Sequence, residues 1–161
     1  GENMQKYIVS VLVKNHAGVL ARVASLFGRR AFNIDSLTVS ATTDPSVSRM
    51  SIIVAGDEKI LEQVMKQVSK LYEVLWVEQL WEEDSYCKEL VFVKLSTPDG
   101  LSRDAIREVA EVYNANVVEA VGNAMIVELT EVPSRIDAFL DVISNFDVIE
   151  MCRSGVTAMI R

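Results

Sequence analysis

Tyr7, Val9, Val11 and Val13 place apolar side chains at every second position, the period of a strand with one buried face. Asn15-His16-Ala17-Gly18 breaks that alternation. Val19, Leu20, Val23, Leu26 and Phe27 follow at helical spacing, up to Arg29-Arg30. Leu37, Val39 and Ala41 then alternate with Ser36, Thr38 and Ser40, which predicts a half-buried strand. Thr42-Thr43-Asp44-Pro45-Ser46 is a turn by composition, and Met50, Ile52 and Val54 predict the returning strand. Gly56-Asp57 opens a second helix with Ile60, Leu61, Val64, Val68 and Leu71 on one face, and Val74 to Leu80 reads as a last strand. The order is β-α-β-β-α-β, the ferredoxin-like arrangement of the α+β class.

After the acidic connector Trp81-Glu82-Glu83-Asp84-Ser85 the same order recurs. Leu90 to Leu95 predicts a strand, Ser96 to Gly100 a loop, and Ile106, Val109, Ala110 and Tyr113 a helical stripe. Asn116 to Val121 and Ala124 to Thr130 read as a hairpin about Gly122-Asn123, a pair suited to the positive φ of tight turns. Pro133 fits a helix start, where its missing N–H costs nothing. Ile136, Phe139, Leu140 and Ile143 mark that helix's apolar face, and either Val148 to Met151 or the stretch on to Ile160 closes the unit. The chain therefore divides into two ferredoxin-like domains, 4–80 and 86–161. Gly1-Glu2-Asn3, ahead of the first Met, read as an expression remnant. Each domain has only about 75 residues, a size at which one core is marginal, so association between domains or chains is expected.

The chain has 161 residues, 50% hydrophobic and 24% charged, the balance of a folded protein. Its formal charge of -7 argues against nucleic acid, whose phosphates demand a basic footprint, and against a polybasic hold on membrane lipid. No apolar run approaches the roughly 20 residues that cross a bilayer, and no leader pattern opens the chain, so a cytoplasmic location is expected. Cys87 and Cys152 read as reduced thiols. One histidine, His16, leaves no set of zinc ligands and makes Ser-His-Asp or Cys-His catalysis improbable on inventory alone.

The segment from Val13 to Leu20 joins a strand to a helix. A helix start offers unpaired N–H groups and partial positive charge, which suit a carboxylate. Asn15 can cap the helix or meet a ligand, and Gly18 allows an approach that a Cβ would obstruct. The spacing fits neither a Walker loop nor a dinucleotide fingerprint. By itself, Asn-x-x-Gly before a helix reads as a plain turn and cap.

"VLVKNHAGVLARVASLFGRRAFNIDSLTV" followed by "TTDPSVSRMSI" resembles the amino-terminal ACT domain of the small, regulatory subunit of acetohydroxyacid synthase, also called acetolactate synthase. The second half, ending in "CRSGVTAMIR", is similar to that family's carboxy-terminal domain. The resemblance implies a non-catalytic subunit. Its partner would be a catalytic large subunit that carries thiamine diphosphate, Mg and FAD and serves branched-chain amino acid biosynthesis. The small subunit would raise that activity and confer feedback inhibition by valine. Carried over by motif position, the effector site would use Asn15, Ala17, Gly18, Val19 and Leu20, with Asn33 and Ile34 supplied by the other chain of a homodimer. His16 departs from the family's usual small or acidic residue and is assigned no contact.

Three rival readings share the fold order. An acyl-phosphate hydrolase would need an anion-cradling loop with Arg, and the first loop has only Lys14 and Asn15. An RNA-recognition module would need aromatics on a central strand, and Arg49-Met50-Ser51-Ile52-Ile53 has none. The alternative that differs only in its partner is a free-standing ACT-type amino-acid sensor for another enzyme or a transporter.

Overall fold

The computed structural model describes residues 5–161, and Gly1-Glu2-Asn3 lie outside the described residues. Two compact units form: the chain up to Tyr86 together with Val156–Arg161, and Cys87–Gly155. Each is α+β and ferredoxin-like.

In the first unit the order is β1 (Gln5–Lys14), α1 (Val19–Arg30), β2 (Ile34–Ala41), β3 (Val47–Gly56), α2 (Glu58–Ser69) and β4 (Val74–Leu80). The sheet runs β2-β3-β1-β4, with every neighbouring pair antiparallel. The alternation in β1 does what its period requires. Val9, Val11 and Val13 meet Met50, Ile52 and Val54 of β3 and the stripes Val23, Leu26, Phe27 and Leu61, Val64, Val68 of the two helices. Each such buried side chain contributes about 1.5–3 kcal/mol. Asp57 accepts from the Ile60 N–H at 2.9 Å and starts α2, while Arg29 and Arg30 complement the C-terminal dipole of α1.

The second unit contains most of β5 (Ser85–Ser96), then α3 (Gly100–Tyr113), β6 (Asn116–Val121), β7 (Ala124–Glu131), α4 (Pro133–Ile143) and β8 (Val148–Arg153). Its strand order is β6-β7-β5-β8, and its core joins Val91, Val93 and Leu95 to Ile106, Met125, Val127 and Phe139. The hairpin turns where Gly122, at φ 61, adopts the left-handed conformation expected of it. Arg153 ties β8 back: its Nε donates to Glu89 at 2.8 Å and its Nη1 to Asp137 at 2.8 Å.

Four details differ from the sequence reading. Leu20 is 47% exposed, so it points away from the core side of α1. Val39 and Ala41 are exposed because β2 is an edge strand with no neighbour on its outer side; Leu37 still packs against the core. β5 begins five residues earlier than Leu90, since Ser85, Cys87 and Glu89 alternate as buried positions under a polar composition. Of the two endings left open, both form strands: β8 pairs β5 in the order above, and β9 (Thr157–Ile160) also pairs β5, although its residues count with the first unit. There Thr38 Oγ1 donates to the Val156 carbonyl, and the Arg161 guanidinium lies 5.0 Å from the Tyr86 ring.

Candidate functional site

β1 ends at Lys14, and the chain beyond it is held from two sides. The Lys14 N–H donates to Glu73 O at 2.8 Å, and the Asn15 N–H donates to Ser46 O at 2.7 Å. The Asn15 side chain caps nothing; its Nδ2 donates to Pro45 O at 3.1 Å, which leaves Oδ1 without a donor among the described residues. The 42–46 turn that receives these bonds is braced internally. The Asp44 carboxylate accepts from the Ser46 hydroxyl at 2.7 Å and the Ser46 N–H at 2.9 Å, and Thr42 Oγ1 donates to Val47 O at 2.8 Å. The Ser46 hydroxyl and N–H hold the Asp44 carboxyl below its ordinary value.

Gly18 is the N-cap of α1, at φ 87 and ψ -6, in the left-handed region that favours glycine. A Cβ at Gly18 would meet nothing within 4 Å. No side chain caps α1 and no acidic residue stands in its first turn. Leu20 N–H and Ala21 N–H have no partner among the described residues. The helix start is therefore an open, partly positive cluster of donors. Val19 is buried and anchors the turn, whereas Asn15, His16, Ala17, Gly18 and Leu20 are exposed.

The equivalent position in the second unit is filled from within. Asp99 caps α3, its Oδ1 accepting from Ser102 N–H at 2.8 Å, and the Ser102 hydroxyl faces back to the Asp99 N–H at 3.4 Å. The donors that stand open at α1 are thus partly met at α3 by the chain's own carboxylate.

Asn33 and Ile34 do not join the loop within one chain. Ile34 pairs with Val54, which pairs with Tyr7 near the start of β1, while Lys14 at its end pairs with Val47. Asn33 is exposed and its carbonyl accepts from Ala55 N–H at 3.0 Å. Sequence reasoning found the loop but not its supports. Glu73, Arg22 and the Pro45-Ser46 turn lie far apart in sequence, and no periodicity links them.

The family described as the AHAS small subunit-like ACT domain matches residues 9–76, and the one described as the small subunit of acetolactate synthase matches residues 88–161. The chain is 40% identical to a probable acetolactate synthase small subunit of Methanothermobacter thermautotrophicus, over 96% of this chain and 92% of that one. It is 39% identical to the small subunit of acetolactate synthase isozyme 3 of Escherichia coli, over 96% and 94% respectively. This chain belongs to the acetolactate synthase small subunit family. The crystal structure of the acetolactate synthase small subunit from Thermotoga maritima superposes with a TM-score of 0.81 at 34% identity, covering 98% of each chain. An acetolactate synthase small subunit with an ACT domain has a regulatory role, and its name implies a catalytic large subunit as partner. No helix among the described residues is long and apolar enough to cross a membrane, and no cluster of three or more His, Cys, Asp or Glu side chains among them could hold a metal ion.

Proposed function

We propose that this subunit activates the catalytic large subunit of acetohydroxyacid synthase in the cytoplasm and confers feedback inhibition by valine. The effector-binding domain is 4–80, and 86–161 is the carboxy-terminal domain. Thiamine diphosphate, Mg and FAD reside on the large subunit. The carrying observation is the α1 start, where open N–H groups, Gly18 at φ 87 and a free Asn15 Oδ1 stand together.

A zwitterionic amino acid matches that set. Its carboxylate accepts from Leu20 and Ala21 N–H, and its ammonium donates to Asn15 Oδ1 and to Asn33 of a second chain. The isopropyl group covers the exposed face of Leu20. Charge-assisted hydrogen bonds contribute about 1.5–3 kcal/mol each, offset by the lost freedom of the ligand, so affinity falls between micromolar and millimolar. Alanine, two carbons smaller, is expected to bind roughly tenfold to twentyfold more weakly. Because two chains share each ligand, binding and dimer geometry are linked, which is how the large subunit senses it.

Calorimetry of the chain with valine, leucine and isoleucine tests the site, and reconstitution with the large subunit tests the regulation. Saturable heat with valine, together with valine-sensitive activity that needs this chain, is the expected outcome. No heat at millimolar valine would overturn the site, and unchanged large-subunit activity on adding the chain would overturn the activation. Acetolactate formed by the chain alone would contradict its non-catalytic role.

A further inference from the structure

Glu73 lies in the turn between α2 and β4, outside the loop that would touch a ligand. Its side chain is only 8% exposed, yet its carboxylate pairs with the Arg22 guanidinium, whose side chain is 56% exposed. Its backbone carbonyl takes the Lys14 N–H at 2.8 Å. The adjacent Tyr72 ring lies under Lys14 Nζ, 4.2 Å from its centroid. Arg22 in turn donates its own N–H to Gly18 O at 3.0 Å. Residues 72 and 73 therefore grip the chain immediately before the loop, at Lys14, and immediately after it, at Arg22.

Burying a carboxylate is costly, and an apolar residue at the head of β4 would fill the same space without that cost. What an apolar residue cannot do is hold the first turn of α1 at a fixed distance from the end of β1. That distance decides whether Asn15 Oδ1 and the Leu20 and Ala21 N–H groups can address one ligand together.

We infer that Glu73 is a positioning residue for the effector loop, acting through Arg22 and touching no ligand itself. This rests on the reading of the Asn15–Leu20 loop as the site for an α-amino acid. Loss of the pair lets the helix start drift from Asn15, so the ligand meets its donors one group at a time.

The test is calorimetry with valine on the full chain, comparing wild type, Glu73→Gln, Arg22→Gln and the double variant. Each single change is expected to weaken binding roughly tenfold, and the double change no more than the worse single, because both remove one contact. The valine midpoint for inhibition of the reconstituted synthase should move by the same factor, with activation in the absence of valine unchanged. Wild type without binding heat overturns the reading of the site and this assignment with it. Wild type that binds while Glu73→Gln and Arg22→Gln bind equally well overturns the positioning role alone, even if both variants melt at lower temperature. Should Glu73→Gln fail to fold, Arg22→Gln, altered on the exposed side of the pair, decides by the same criterion.

Discussion

Asn15 and Asn33 stand at opposite ends of one sheet. Asn15 follows Lys14, level with Val47, while Ile34, next to Asn33, is level with Val54 and Tyr7. The seven residue steps from Tyr7 to Lys14 span roughly 23 Å at strand rise. No amino acid reaches across that distance, so a ligand held by both asparagines must lie between two chains. We expect the protein to sediment as a dimer or larger at micromolar concentration. A single 17.9 kDa species, with and without valine, would contradict this.

Gly18→Asp is expected to abolish valine binding. The new side chain enters the open space beside Gly18 and sets a negative charge where the ligand carboxylate would sit. The substitution also carries a folding cost of roughly 1–2 kcal/mol, because φ 87 is left-handed backbone, although aspartate tolerates that region better than most residues. Valine at a hundred times its dissociation constant stabilises the wild type by about 2.7 kcal/mol, read as a higher melting temperature. The variant should melt at one temperature with or without valine. A full valine-dependent shift in the variant would place the ligand elsewhere.

The 42–46 turn should make the loop acid-sensitive. Bonds from Ser46 hold the Asp44 carboxyl below its ordinary value, so the ionised form is favoured by the folded turn. A carboxylate lowered on folding contributes stability that is complete above its unfolded pKa, near 4, and is lost as pH falls through the lower folded value. Thermal melts of wild type and Asp44→Asn should differ by a constant amount above about pH 5 and converge below about pH 4. A difference that grows toward acid would contradict the arrangement.

Local pattern made the strands and helices legible, because β1, β3 and the helices bury one face each at the period their residues show. The hairpin at Gly122 and the start of α4 at Pro133 were legible for the same reason: their conformational demands are carried by one or two residues. Edge position was not. Val39 looks like a core valine in sequence, and only the strand order β2-β3-β1-β4 makes it exposed. The place of β9 depends on Thr38 meeting Val156, 118 positions later, a contact that no local period encodes. For the site, Asn15 and Gly18 were visible as a loop before a helix. The opposite ends occupied by Asn15 and Asn33 follow from sheet register. Glu73 was invisible, since a glutamate after a helix looks like solvated surface until Arg22 is brought to it.

Within the first unit the two helix starts differ, since no side chain caps α1. Asp57 caps α2 through the Ile60 N–H. Asp57→Ala should cost about 1 kcal/mol in chemical unfolding. An unchanged unfolding midpoint would mean that the cap contributes nothing.

A mixture of two damaged chains tests the shared site most directly. Asn15→Ala and Asn33→Ala should each fail to bind valine as pure proteins. In a mixed dimer one site loses both asparagines and the other keeps both. After free exchange of equal amounts, valine calorimetry should recover about a quarter of the wild-type number of sites, at wild-type affinity. If the pure variants are silent and the exchanged mixture stays silent too, the two asparagines do not complete one site across the dimer.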